Sequence, residues 1–363
     1  MPLPTELGVR VVLWLGATLP RPAPAHLLAA LQSMEVTADR EKGYGVQLVF
    51  TQHVPAALLS DTALAPGNRV IVGVMIGILP HVLIDGIIAH RESADGTLTV
   101  TAQDLTLALD KEEKDESYPN QSDSVIATRL IAGHAQLGLV PVVVPTFDTP
   151  IMTERTPRQQ ETDLVFLKRM AERNGYVFYL EPVTFGVTTA YFGPDVRVGI
   201  PQPALTKDMG PASNLTSISF SIDSQATASQ QGTFIEPFFK TALPIPPLPS
   251  LRLPPLASTP LPAMRSERLR DTAKRSASNA ATTLLAAATN IPNAVTGTGE
   301  VDTARYGHVL RPRGIVGVRG AGLAFDGLYQ VDAVTHKLAR GAYTQSFRLS
   351  REGLGATLPV VPV

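Results

Sequence analysis

Cysteine is absent from the 363 residues. That excludes disulfides, thiolate nucleophiles and cysteine-built zinc sites, and it fits a reducing compartment without requiring one. An excess of either charge is also lacking: 31 Lys and Arg against 32 Asp and Glu leave a formal net charge of −1, so no global field draws the chain to nucleic acid or anionic lipid. Aromatics are only 6% of the residues, and the basic residues are scattered without aromatic interleaving, so no nucleic-acid footprint is visible. The common catalytic signatures are missing too: there is no HExxH, no GxxxxGK[ST] and no GxSxG, and Gly320-Ala321-Gly322 lacks the third glycine of a dinucleotide fingerprint and reads as a turn. The histidines, His26, His53, His81, His90, His134, His308 and His336, form no pair at metal-ligand spacing and read as surface or satisfied interior residues. Asp104 with Asp110, or Glu161 with Asp163, could form an acid/base couple, but nothing positions a nucleophile or water against them. Carboxylates far apart in sequence leave hydrolysis open.

What is present begins with enough chain for two or more domains and, at 44% hydrophobic residues, enough apolar side chain for sizeable cores. Residues 70–89, VIVGVMIGILPHVLIDGIIA, are long and greasy enough to pose a membrane span. Gly73, Gly77, Pro80, Asp85 and Gly86 argue against one, because Pro80 would delete a backbone bond and Asp85 would sit in hydrocarbon. The Val and Ile content favours two buried strands broken at Leu79-Pro80-His81. At the N-terminus, Arg10, VVLWLG and Ala23-Pro24-Ala25 resemble a signal peptide, but Glu6 and the short apolar core fit a first strand over Arg10–Leu15 equally well.

Period-two alternation at Val46, Leu48 and Phe50, a Pro66-Gly67-Asn68 turn and an Asp95-Gly96 hairpin make the first hundred residues an antiparallel β region with one helix near His26–Gln32. Lys111–Glu116 reads as a solvated charged loop. Ser122 is the expected N-cap of a helix over Asp123–Gln136 with an apolar stripe of Ile126, Ala127, Leu130 and Ile131, stopped by Gly138 and followed by the strand VPVVVP. In QQETDLVFLKRMAERNGYVFYLE, residues 159–181, Phe166, Leu167, Met170 and Ala171 form one helix face and Lys168, Arg169, Glu172 and Arg173 the other. Glu161, Thr162 and Asp163 supply acidic and capping groups, and Asn174-Gly175 stops the helix before a strand over Tyr176–Glu181.

Prolines cluster between 237 and 262, which prevents helix and central strand and favours an extended strap on apolar surface over a disordered linker or an SH3-type ligand. A helix over Ser266–Thr289 and a turn at Thr296–Gly299 then close an insert. Strands follow at Arg305–Leu310, Ile315–Arg319, Leu328–His336 and Tyr343–Ser350.

The ETDLVFLKRMAERNGYVFY segment resembles the helix-to-strand signature of baseplate hub proteins of contractile phage tails, the phage late control protein D family and the N-terminal hub portion of VgrG. Asp163, Phe166, Leu167, Ala171, Asn174, Gly175 and Phe178 carry the match. LLSDTALAPGNRVIVGVMIG with IDGIIAH, TVTAQDLTLALD with SDSVIATRLIAG, and FDGLYQVDAVTHKLARGAYTQSFRLSREG resemble further stretches in the same order, so the likeness spans most of the chain outside 237–304. Asp85-Gly86 falls at a turn or bulge position of that pattern. The resemblance implies a β-dominated, mixed α+β chain: a first tail-tube-like antiparallel β-barrel at 1–100, an α+β domain at 101–205, a second barrel from 206–236 with 305–352, a Pro-rich strap plus helix inserted at 237–304, and a tail at 353–363. It implies a non-enzymatic, cofactor-free structural protein whose homotrimer forms a pseudo-sixfold ring between a hexameric inner tube protein and a trimeric spike protein, beside neighbouring baseplate or wedge proteins. Such a hub is assembled in the cytoplasm as part of a phage-tail-like particle, with no nucleic acid binding and no membrane span. VgrG continues into a spike, whereas this sequence ends soon after its closing hairpin, so the spike is expected to be a separate polypeptide. A lytic hub with cell-wall hydrolase activity, and a membrane-attached or secreted binding protein, are the alternatives.

Overall fold

Val46, Leu48 and Phe50 all point into one core, as their alternation requires. The computed structural model describes residues 9–17, 19–51, 61–146, 156–197, 199–225, 228–235, 242–248, 254–262, 264–268 and 293–358. The first unit comprises β1 (Arg10–Gly16), β2 (Arg21–Pro22), α1 (Ala25–Ala30), β3 (Leu31–Asp39), β4 (Gly43–Thr51), β5 (Arg69–Ile76), β6 (Leu79–Ala94) and β7 (Thr97–Asp104). Hydrogen bonding places its main strands in the order β1-β5-β6-β7-β4-β3, every neighbour antiparallel.

The middle unit has its own core and is mixed. It runs through α2 (Thr106–Leu109), β8 (Glu113–Ser117), α3 (Asp123–Ala132), β9 (Leu139–Val143), β10 (Arg158–Thr162), α4 (Asp163–Asn174), β11 (Tyr176–Thr184) and β12 (Val187–Pro194). The third unit holds β13 (Gln202–Thr206) and β14 (Leu215–Ile222), then β15 (Ala228–Ile235), β16 (Ala242–Leu248), β17 (Ala257–Pro260) and β18 (Arg265–Arg268). It continues through β19 (Val295–Asp302), α5 (Thr303–Tyr306), β20 (Ile315–Arg319), β21 (Gly327–Ala339), β22 (Ala342–Arg351) and β23 (Gly353–Ala356). Its main strands are ordered β13-β20-β21-β22-β19-β14.

The first and third units, hereafter the first and second β units, share one topology. If β2, β23 and the strands of the 223–294 segment are set aside, each unit has its six strands in the spatial order first, fourth, fifth, sixth, third, second. Each also has a short helix between its third and fourth strands, capped by an aspartate whose carboxylate accepts the N–H two residues on: Asp61 from Ala63 and Asp302 from Ala304. One pairing differs, since β1 meets β5 antiparallel but β13 meets β20 parallel. The units are fused through β21. Its beginning pairs with β20, and Ala333–Ala339 then pair antiparallel with Ser33–Asp39 of β3, making one 13-stranded sheet.

Several local expectations are corrected. The greasy run is indeed two strands, with Val70, Ile71, Val72 and Val74 fully buried, but the turn lies at Gly77-Ile78. Gly77 takes the left-handed conformation the turn needs (φ 63°), while Pro80 sits in the exposed first residues of β6 opposite Met75. Asp85-Gly86 is neither turn nor bulge: it lies inside β6, between irregularities at Val72/Gly73 and Ile88/His90. The charged run is partly a strand, because β8 pairs with β10 and Asp115 gains Arg158 across the ladder at 2.9 Å. Thr296–Gly299 belong to β19, not to a turn; Gly297 and Gly299 leave room there for the rings of Phe220 and Phe347. Arg305 and Tyr306 are in α5, which Asp302 caps and Gly307 ends with φ 70°. Helix α1 ends at Ala30, α3 at Ala132, and the Ser122 hydroxyl contacts Ser124 Oγ instead of capping the backbone. The expected helix over Ser266–Thr289 begins on residues that are strand β18, and its remainder lies outside the described residues. Proline-bearing β16 is an edge strand of the β16-β15-β18 sheet, where missing N–H groups are tolerated.

Candidate functional site

The residues of this chain that do the most joining lie on the seam between the two β units. Arg40 follows β3 and donates to Gln330 Oε1 at 3.0 Å, pairs with Asp195, and lies 3.6 Å from Asp332. Asp39 accepts the N–H groups of Glu41 and Lys42 and Nη2 of Arg348. Burial alone would raise its carboxyl pKa, but these donors outweigh burial and hold it below the ordinary range. The segment leaving β12 crosses this seam. Asp195 reaches the first unit through Arg40, while fully buried Arg197 reaches the second through Glu352 Oε2 at 2.6 Å and Asn293 Oδ1 at 2.9 Å. A cleft of about 320 Å³ opens beside it, lined by Tyr179, Tyr191, Asp195, Gln202, Arg311 and Arg313, with the Arg313 guanidinium 3.8 Å from the Tyr179 ring centroid.

The middle unit rests on the first through the hairpin between β11 and β12. Phe185 at its tip packs tilted against Trp14 with centroids 5.3 Å apart, and Thr188 lies 3.5 Å from Asp85. Asp85 is buried in β6 because it holds both Nε and Nη2 of Arg69 at 2.7 Å. Gly86 is required beside it, since a Cβ there would stand 2.1 Å from the Gln103 carbonyl oxygen.

The family-motif residues converge on the middle unit. Phe166, Leu167 and Ala171 are buried in its core, and Phe178 packs against it half-buried. Asp163 opens α4 and is its electrostatic anchor: Oδ2 accepts Lys114 Nζ at 2.7 Å and His134 Nε2 at 2.8 Å, and Oδ1 accepts Gln159 Nε2 at 2.9 Å. Burial pulls its carboxyl up, but His134, Lys114 and Gln159 prevail and hold it at about 2. Asn174 donates to Asp123 at the start of α3 and to the Met170 carbonyl, and Gly175 follows with φ 68°. These roles brace one helix against another.

The carboxylate couples considered from sequence are engaged separately. Glu161 holds Arg169 at 2.7 Å while Asp163 holds the groups above. Asp104 accepts the Tyr44 and Thr106 N–H groups, and Asp110 accepts the Thr162 hydroxyl at 2.6 Å. Among the described residues no group of three or more His, Asp or Glu is placed to hold a metal ion, and no helix is long and apolar enough to cross a membrane. Sequence reading missed Arg40, Asp195, Arg197, Gln330 and Glu352, and no local pattern marks them.

No family model and no curated protein matches the chain. Solved structures match over nearly its whole length. A tail protein from Neisseria meningitidis MC58 is 16% identical, covering 96% of this chain and 98% of its own, with a TM-score of 0.64. The 43 kDa tail protein of prophage MuSo2 from Shewanella oneidensis is 13% identical over 95% and 99%, also at 0.64. The E. coli c3393 protein, a component of the type VI secretion system with structural similarity to the T4 tail proteins gp27 and gp5, is 14% identical over 92% and 78%, at 0.54. At these identities the likeness is one of fold.

Proposed function

We propose that the chain is the structural baseplate hub of a contractile, phage-tail-like injection particle. Three copies form a ring that joins a hexameric inner tube to a trimeric spike, beside neighbouring baseplate proteins, after assembly in the cytoplasm. The observation that carries this reading is the repeated six-strand topology within one chain. Two alike units per protomer give three protomers six alike positions, which is what a threefold object needs to match a sixfold one. The tail-protein fold supports the same reading, as does a seam in which Arg40 is paired with Asp195 and Arg197 with Glu352. The proposed work is mechanical and geometric.

The test is native mass measurement of the purified chain, alone and with tube and spike proteins of its own particle. A trimer that captures both partners is expected. A chain that stays monomeric with both present overturns the proposal, and cleavage of purified peptidoglycan by the chain would favour a lytic hub instead.

A further inference from the structure

The fused sheet contains one copy of a joint and the two halves of another. Inside the chain, the fifth strand of the second unit (β21) pairs through its last seven residues with the second strand of the first unit (β3). The equivalent strands left over are β6, fifth in the first unit, and β14, second in the second unit. Strand β14 ends the 13-stranded sheet, bonded only to β19 among the described residues. Strand β6 pairs with β5 only as far as Ile87; from Ala89 to Glu92 no described strand pairs with the side turned away from β7. Strands β19, β22, β21, β3, β4 and β7 lie between β14 and β6 in the sheet, so the two edges belong to different ends of one molecule.

The sequence of β14, LTSISFSI, carries neither a charge nor a proline, and Ile222 is 46% exposed. Nothing in its composition blunts it against pairing, as an edge meant for water would be. Ile218 and Phe220 already face the core of the second unit, so an added strand would extend a surface with the correct inside and outside.

The register transfers residue by residue. Thr335 lies four residues before the end of β21, and His90 four before the end of β6, each strand closing on its hairpin partner at the next turn. Across the sheet, Gln103 of β7 leads through Gly45 to Thr37, and its equivalent in β22, Arg348, leads through Thr298 to Ser219. Since Thr335 pairs with Thr37, His90 corresponds to a partner at Ser219.

We infer that β14 of one copy pairs antiparallel with the outer edge of β6 in a second copy, with Ser219 opposite His90, Ile218 opposite Arg91 and Ser217 opposite Glu92. The contact is head-to-tail: it uses two different edges, so each copy offers one to each neighbour and the chain of contacts closes as a ring. This inference rests on the hub reading and supplies the contact that reading needs.

The cysteine-free chain allows a direct test. The full-length His90→Cys, Ser219→Cys double variant is oxidised mildly and run without reductant. Intermolecular bridging is expected to exceed that of His90→Cys, Ser217→Cys and of His90→Cys, Ser221→Cys about tenfold, because cysteines with Cα atoms beyond about 7 Å cannot bridge. Mixing the two single-cysteine variants should give covalent dimers and nothing larger, whereas the double variant should give covalent trimers. Preferential bridging in a shifted pair overturns the register. A trimer by mass that bridges in none of the pairs overturns the edge assignment while the hub reading stands. A monomer in the presence of tube and spike overturns both.

Discussion

Arg197 places Nη1 2.6 Å from Oε2 of Glu352, 155 residues away in sequence, with the arginine 1% exposed. The same guanidinium donates to Asn293 and to Gln330, and the other oxygen of Glu352 accepts the N–H groups of Leu256 and Ala257. Burial would raise the Glu352 carboxyl, but Arg197 and these N–H groups hold it below its usual range. One ion pair thus ties the middle segment, the end of β22 and the start of β17. Arg197→Met is expected to lose about 3–5 kcal/mol, because it leaves a carboxylate in a poorly solvated place without its counter-charge. Urea unfolding checks this, and Arg197→Met with Glu352→Gln should lose less than the two separate losses combined. A single-variant loss below about 1 kcal/mol would show the pair to be dispensable.

Asp163 makes the corresponding prediction for the middle unit. Its folded carboxyl titrates near 2 against an ordinary 3.8, so its ionised form stabilises the native state. Because the folded value is depressed, that contribution is complete above about pH 4 and disappears as pH falls towards 2. Asp163→Asn should therefore lose about 2–3 kcal/mol at pH 7, from nearly two pH units at about 1.4 kcal/mol each. Urea midpoints of the native and variant proteins should converge near pH 2; a constant gap across the acid range contradicts this assignment.

Helix α4 was legible in sequence because everything that defines it lies within fourteen consecutive residues: an apolar face, a Thr162 cap and a Gly175 stop. Strand β8 was not. EKDES resembles a solvated loop until Arg158, 43 residues on, meets Asp115 across the ladder. The seam residues Arg40, Asp195, Arg197 and Glu352 were invisible for the same reason, since their partners are set by topology and not by spacing. The two alike β units were expected from the family resemblance and from β character at both ends, not from any repeat visible in the residues themselves. Matching strands have different side chains, and residues 223–294 separate the second strand of one unit from its third. Packing rules could have been read forwards only where both partners lie in one local pattern.

Glycine in β19 misled the sequence reading, and its role gives a third prediction. A Cβ on Gly299 would stand 2.4 Å from the Ser217 carbonyl oxygen and 2.7 Å from Cζ of Phe347. Gly299→Ala should destabilise the second β unit by about 1–3 kcal/mol, since it overfills a closed space between strands. Phe347→Leu added to it should restore little, because the backbone oxygen of Ser217 remains in the way. Thermal unfolding of the two variants checks the order. Restoration by the smaller side chain would mean that the ring alone sets the requirement for glycine.

His336 predicts how the joint between the β units responds to acid. Its ring is buried on β21 opposite Val36 of β3, with Nδ1 2.9 Å from the Tyr343 hydroxyl. Burial, with help from the charge of Arg311, pushes the imidazole down to about 3 from 6.5. The sign follows from the depressed value. Above pH 6.5 the ring is neutral folded and unfolded, and its environment carries no proton-linked penalty. As pH falls from 6.5 towards 3 the unfolded chain binds a proton that the folded one refuses, and stability drops by up to about 1.4 kcal/mol per pH unit from this group. His336→Gln keeps a polar partner for Tyr343 but cannot titrate, so its stability should be flatter than the native protein's between pH 6 and 4, near the range this histidine governs. Urea midpoints measured at half-unit steps decide it: parallel curves would show that other groups carry the acid response, whereas curves that diverge downward from pH 6 place it on this one buried ring.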